Sequence, residues 1–152
     1  MRSLKILITA WLCFTLLPVH AQSYRFGLSS SLGIYPDPSS THILLNGLIE
    51  FKLSDFYAIQ PEVGIGGFFD HPGSSLVFDF SVFGKFYPIR DRVFLEMGPS
   101  ALFLTGKQKN TGIGFLFGVG YEFSDYLYGS LRSGHYSDGL GSPLFMTVGY
   151  KF

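Results

Sequence analysis

Charge is scarce in this chain. Asp, Glu, Lys and Arg make up 14% of its 152 residues, against about 25% in an ordinary soluble domain. The 11 basic and 11 acidic residues cancel, so the strongly basic balance of a nucleic-acid binder is missing. There is one cysteine, Cys13, and one tryptophan, Trp11. A lone thiol closes no disulfide within the chain and builds no multi-cysteine metal site. Long apolar runs are also missing beyond the first 25 residues. The longest stretches there without Asp, Glu, Lys or Arg are 12 residues, at 38–49, 110–121 and 139–150, where a membrane helix wants about 18 or more. What is abundant is 17 Phe, 9 Tyr and 19 Gly. That composition is too aromatic for a disordered chain.

Residues 1–21 read as a cleaved signal peptide. Arg2 and Lys5 form a basic start, Ile6 to Leu17 an apolar centre, and Val19-His20-Ala21 a small-residue cleavage site. The apolar centre is shorter than the roughly 20 residues of a spanning helix. Cleavage after Ala21 leaves one domain, 22–152, and removes two bases, Cys13 and Trp11. The remaining 9 basic and 11 acidic residues give a net charge of −2. No disulfide or thiol chemistry is then available.

The rest of the chain alternates with period two. One parity of 43–53 is Ile43, Leu45, Gly47, Ile49, Phe51 and Leu53, and the other includes Asn46, Glu50 and Lys52. The same two-faced pattern recurs at 57–69, 76–87, 92–105, 112–123 and 144–152, and more weakly at 23–35 and 126–137. Eight such segments at the length of membrane strands predict an all-β fold, an eight-stranded antiparallel transmembrane β-barrel. The connections at Leu53 to Phe56, Pro88 to Asp91 and Ser124-Asp125 are tight and read as periplasmic turns. Those at 36–41, 70–75, 106–111 and 138–142 are looser and read as modest extracellular loops.

The apolar parity carries no charge across the middle of any strand. A base facing the bilayer midplane costs about 2–4 kcal/mol, so this parity is assigned to lipid. The other parity has too few charges for a solvated surface. It suits a crowded interior in which Glu50, Glu62, Asp79, Glu96 and Glu122 pair with Arg25, Lys52, Lys85, Arg132 and Lys151. Such a plug leaves no wide pore.

Several stretches resemble outer-membrane β-barrel domains of the PorT-like type: Ala58-Ile59-Gln60-Pro61-Glu62-Val63-Gly64, Phe83-Gly84-Lys85-Phe86-Tyr87-Pro88 and Phe94-Leu95-Glu96-Met97-Gly98-Pro99. The final Gly149-Tyr150-Lys151-Phe152 looks like the signal read by the barrel assembly machinery. The resemblance implies a bacterial outer-membrane location and a porin-like fold. It also implies transient contact with the assembly machinery and periplasmic chaperones, and no defined chemistry. A second, local resemblance is to the His-x-Ser-Asn stretch of PagL-like lipid A 3-O-deacylases, carried by His135-Tyr136-Ser137-Asp138. It implies His135 as general base and Ser137 as nucleophile on the lipid-facing wall. Asp138 stands where that family has Asn. No acid follows Asp138 to orient the histidine, so Asp138 itself would have to do so.

Other motifs are weaker. Gly112-Ile113-Gly114-Phe115-Leu116-Phe117-Gly118 has one residue too many for a dinucleotide loop and no helix after it; its glycines are expected to thin the lumen beside large neighbours. His42 and His71 belong to separate loop regions without metal-ligand spacing. The expectation is therefore a monomeric outer-membrane barrel with a structural or surface-interaction role. It contacts outer-membrane lipid and lipopolysaccharide, and has no cofactor, metal or nucleic-acid partner. The alternative is a lipid A deacylase using His135 and Ser137.

Overall fold

The computed structural model describes residues 23–36, 39–70, 73–89, 92–106, 110–137 and 141–152. The signal-peptide segment, His71 and Asp138 lie outside them. Eight strands follow one another: β1 (Ser23–Pro36), β2 (Ser39–Lys52), β3 (Tyr57–Asp70), β4 (Gly73–Ile89), β5 (Val93–Gly106), β6 (Asn110–Glu122), β7 (Leu127–Tyr136) and β8 (Leu144–Lys151). Each pairs antiparallel with the next, and β8 pairs with β1 to close the barrel.

The register sets the geometry. One circuit runs Lys151, Gly27, Leu48, Glu62, Ser81, Ser100, Gly114, Tyr136 and Gly141. It returns to the last segment ten residues from its start. A stagger of this size tilts eight strands by roughly 40° and leaves an interior that side chains can fill.

The two ends of the barrel differ. At the end carrying both termini, two turns have the same hydrogen bonds. The amides of Leu53 and Ser54 donate to the Tyr57 carbonyl, and those of Phe123 and Ser124 donate to the Leu127 carbonyl. Ser54 Oγ accepts from the amides of Phe56 and Tyr57, and Ser124 Oγ from those of Tyr126 and Leu127. A serine side chain that folds back on its own turn in this way is a local stabiliser of tight reversals. At the opposite, loop end, the strands run further than the alternation shows. β2 already begins at Ser39 and β4 at Gly73. These rim residues are Ser, Thr and Gly on both parities, so the ladder continues where the apolar signal has stopped.

Side chains divide by parity as the sequence predicts. Ile43, Leu45, Val63, Ile65, Phe80, Phe117, Met146 and Val148 are exposed on the outside. Glu50, Glu62, Asp79, Lys85, Glu96, Glu122, Arg132 and Lys151 are buried inside. A chain folded in water would expose the second set. This distribution is that of a barrel solvated by hydrocarbon.

The lumen fills by pairing large side chains with glycines directly across the ladder. Tyr128 faces Gly149, Phe94 faces Gly120, Tyr136 faces Gly114 and Arg132 faces Gly118. A Cβ on Gly120 would fall into the Phe94 ring, and one on Gly149 into the Tyr128 ring. The glycines of β6 are there because their neighbours are large.

Candidate functional site: a filled lumen and an outward histidine

Towards the terminal end, the lumen is crossed by two layers of ion pairs. In the first, Lys151 Nζ lies 2.7 Å from Glu50 Oε2 and 2.6 Å from Glu122 Oε1, and Lys85 Nζ lies 3.4 Å from Glu50 Oε2. The Tyr87 hydroxyl lies within hydrogen-bond distance of both carboxylates, 3.1 Å from Glu50 and 2.9 Å from Glu122, and shares its one proton between them. Lys85 Nζ also sits 4.2 Å from the Phe94 ring centroid and 4.8 Å from that of Tyr128. Aromatic faces thus take over part of the solvation that water would give the ammonium. In the second layer, Arg132 of β7 reaches across to β3. Its Nη1 and Nη2 each lie 2.8 Å from an oxygen of Glu62, and its Nε donates to Glu96 at 2.7 Å. Its guanidinium carbon is 4.1 Å from the Phe83 ring centroid. The planar fork grips Glu62 by two parallel hydrogen bonds while its Nε reaches Glu96, a bidentate geometry that the point charge of a lysine cannot reproduce.

Two of the expected cations take other places. Arg25 Nη1 donates to the Asp125 carbonyl, 2.9 Å away at the terminal rim. Lys52 Nζ lies 5.9 Å from the Tyr87 ring centroid. Asp79 is held by hydroxyls: Ser81 Oγ at 3.0 and 2.9 Å, and Ser100 Oγ at 2.9 Å. Ser100 Oγ lies 2.7 Å from the Tyr136 hydroxyl.

Above Asp79 the interior turns apolar. Tyr35, Leu44, Phe68, Val77, Leu102, Leu104, Leu116 and Phe145 form one buried cluster. His42 is fully buried against it, with its ring 4.7 Å from that of Phe145 and its Nδ1 3.3 Å from the Tyr35 hydroxyl. His42 is a core residue here. Among the described residues no group of three or more His, Cys, Asp or Glu side chains is arranged to hold a metal ion. The sequence signal for this apolar cap was present but easy to pass over: towards the loop end both parities become apolar, as at Ile43-Leu44 and Phe68-Phe69.

His135 and Ser137 are both exposed and share the outward face of the β7 segment. The imidazole does not, however, meet Ser137. Its Nδ1 lies 3.1 Å from Ser142 Oγ, while Ser137 Oγ accepts the Ile113 amide at 3.2 Å. The segment before β8 is positioned by three features. Gly141 has φ 75°, a left-handed conformation that suits glycine. The Tyr136 amide donates to the Gly141 carbonyl at 2.9 Å, and Ser133 Oγ to the Pro143 carbonyl at 3.2 Å. Together they bring Ser142 to the histidine, a pairing that no local spacing announces. The outward parity of β6, β7 and β8 carries no carboxylate.

Comparison with solved structures places the fold. The chain is similar to a de novo designed transmembrane β-barrel, with TM-score 0.60, 11% identity, and coverage of 84% of this chain and 95% of the other. It is similar to the Yersinia pestis outer membrane protein Ail, with TM-score 0.57, 10% identity, and coverage of 86% and 100%. It is also similar to the N-terminal β-barrel domain of Pseudomonas aeruginosa OprF, with TM-score 0.55, 15% identity, and coverage of 87% and 99%. No protein-family model matches the chain, and no curated protein matches it. At these identities the likeness is one of architecture: an eight-stranded antiparallel closed barrel of the transmembrane type.

Proposed function

We propose that the protein is a small, monomeric barrel of the bacterial outer membrane with a structural or surface-interaction role, and that it conducts no solutes. One observation carries the reading: the lumen is occupied along its length, by ion-pair layers towards the terminal end and by the Tyr35–Phe68–Phe145 cluster at the loop end. The PorT-like stretches, whose residues build β3, β4 and β5, support the location. So does the similarity to outer-membrane barrels. In this reading the termini face the periplasm, where chaperones and the barrel assembly machinery act during insertion, and the loop end meets lipopolysaccharide. In planar bilayers the purified protein should give no conductance steps of porin size. Regular steps of that size would replace this reading with a channel.

A second reading, lipid A 3-O-deacylation, is favoured by one contact, the exposed hydrogen bond between His135 and Ser142. An imidazole at hydrogen-bond distance from a hydroxyl on the lipid side is the minimum needed to activate an oxygen nucleophile. The contact makes Ser142, rather than Ser137, the first serine to test. Mass spectrometry of lipid A from cells making the wild type, His135→Ala, Ser137→Ala or Ser142→Ala decides. Loss of one acyl chain with the wild type but not with His135→Ala establishes the enzyme, and the inactive serine variant names the nucleophile. Unchanged lipid A with the barrel inserted removes it.

A further inference from the structure

The outer wall is uneven. β1 to β6 are 13 to 17 residues long, whereas β7 has 10 and β8 has 8. All eight share the terminal rim, so the continuous ladder ends lower at β7 and β8, with only the Tyr136–Gly141 bridge above the Ser133–Leu144 pair. Four missing residues on a tilted strand correspond to about 10 Å of height. The apolar belt is interrupted on β7 and on the segment before β8. Around most of the barrel it continues towards the loop end as Ile34, Ile43, Ile65, Phe69, Leu76, Phe103 and Ile113, all exposed. On β8 the belt still holds Leu144, exposed and paired with Ile34 of β1, but on β7 and the segment before Leu144 the outward described positions are Ser133, His135, Ser137 and Ser142. His135 pairs directly with Phe115 of β6, so a polar ring stands beside the apolar belt.

We propose that the polar headgroup layer of the lipid leaflet at the loop end dips towards the membrane centre against β7 and the segment before β8, with His135 and Ser142 as its contact. The argument is one of mismatch. A bilayer matches its hydrocarbon thickness to the apolar height of the wall it meets, at a fraction of a kcal/mol per Å of adjustment. A full-height hydrocarbon layer would strip water from the His135 ring, whose Nδ1 alone is hydrogen-bonded among the described residues, and a polar group left unsatisfied in an alkane-like medium costs several kcal/mol. Thinning over a few ångströms is the smaller cost. The hydroxyls and imidazole offer donors and acceptors for ester oxygens, phosphate or sugar hydroxyls. Binding and thinning require no hydrolysis, so the inference stands apart from the deacylase reading. It does rest on the barrel lying in a membrane.

Spin labels test it. On a Cys13→Ser background, single cysteines replace Met146 on β8 and Val63 on β3. These residues are 52% and 54% exposed and face outward three strands apart around the barrel. They lie at matching depth when the ten-residue stagger is spread evenly over the eight strands. The protein is reconstituted in phosphatidylcholine vesicles, with folding checked by the shift of apparent mass on heating. Collision with a water-soluble nickel chelate should be several-fold more frequent at Met146→Cys than at Val63→Cys. The difference should vanish when Ser133→Leu and His135→Leu are added, or with His135→Leu alone if the double variant does not insert. Equal shielding of both labels overturns the dip and leaves the membrane reading intact. A difference that persists with leucines in the notch also overturns it, because water then enters through the wall. Full accessibility of both labels overturns the membrane reading itself.

Discussion

The two halves of the lumen solve one problem in two ways. Both are lined by the inward parity of the same strands. In the terminal half that parity carries Glu50, Glu62, Lys85, Glu96, Glu122, Arg132 and Lys151, joined by ion pairs and aromatic faces. In the loop half it carries Leu44, Phe68, Val77, Leu102, Leu104 and Phe145, which simply pack. The first half gains mutual specificity: each charge is tolerable only with its partner in place. The second tolerates looser rules, since apolar volume of roughly the right shape suffices. The barrel thus keeps its strictest pairing requirements at the end holding both termini. There β1 and β8 close the wall, and Lys151 of β8 ties Glu50 of β2 to Glu122 of β6.

The sharpest test of this contrast is Arg132→Met. It leaves Glu62 and Glu96 buried without their shared cation, and breaking a buried pair in this way costs about 3–5 kcal/mol. Urea unfolding in detergent micelles should show a loss of that order. Adding Glu62→Gln and Glu96→Gln should return much of it, because the uncompensated charges disappear with the cation. A triple variant no better than the single one would mean that the arginine acts by volume alone, as a leucine of the loop half does.

Steric fit should separate inward from outward glycines by a smaller margin. Gly120→Ala places a methyl in the Phe94 ring and, like other overpacked interiors, should lose about 1–3 kcal/mol. Gly47 faces outward with nothing within 4 Å of a Cβ. Gly47→Ala should therefore change stability little, or raise it by a few tenths of a kcal/mol through the unfolded chain. Similar losses at both positions would show that backbone freedom, rather than the large-opposite-glycine packing of the lumen, decides.

The fold was legible because period two is a strong signal where one face meets hydrocarbon and the other a polar interior. Strand number, inward charges and the repeated Ser-Asp turns all follow from it. The signal fails where both faces have the same polarity. At the loop rim Ser39 to Thr41 and Gly73 to Ser75 are polar or small on both parities, so the strands read as loops. Just below, Leu44 and Phe68 are as apolar as their outward neighbours, so the apolar cap of the lumen was hidden. Ion-pair partners were legible as a set, but not as pairs. Register and depth decide that Arg132 serves two carboxylates while Arg25 ends on a backbone carbonyl. The histidine's partner lay furthest from view. His135 and Ser137 are neighbours in sequence on one face, yet the turn through Gly141 delivers Ser142 instead.

Asp79 stands at the boundary of the two halves, and the smallest expected effect is there. Its carboxylate accepts from the hydroxyls of Ser81 and Ser100. Two positions across the ladder, Asn46 donates through Nδ2 to Ser29 and Ser31, at 3.2 and 3.0 Å, while its Oδ1 has no hydrogen-bond partner among the described residues. Gly64 pairs with Asn46 on one side and with Asp79 on the other. A Cβ built on Gly64 would run into Asn46 Oδ1 and would lie 3.3 Å from Asp79 Cβ, so the Asn46 amide and the stem of Asp79 border one gap. Asp79→Asn keeps an oxygen for the serines and adds an amide donor two strands from the unbonded Asn46 Oδ1. A neutral hydrogen bond contributes about 1 kcal/mol net, so the variant should be as stable as the wild type or slightly more so. That is the opposite sign to any loss of charge in the Arg132 layer. A loss of 2 kcal/mol or more in the same urea titration would show that the buried charge of Asp79 is itself needed, and would extend the ionic half of the lumen up to the apolar cap.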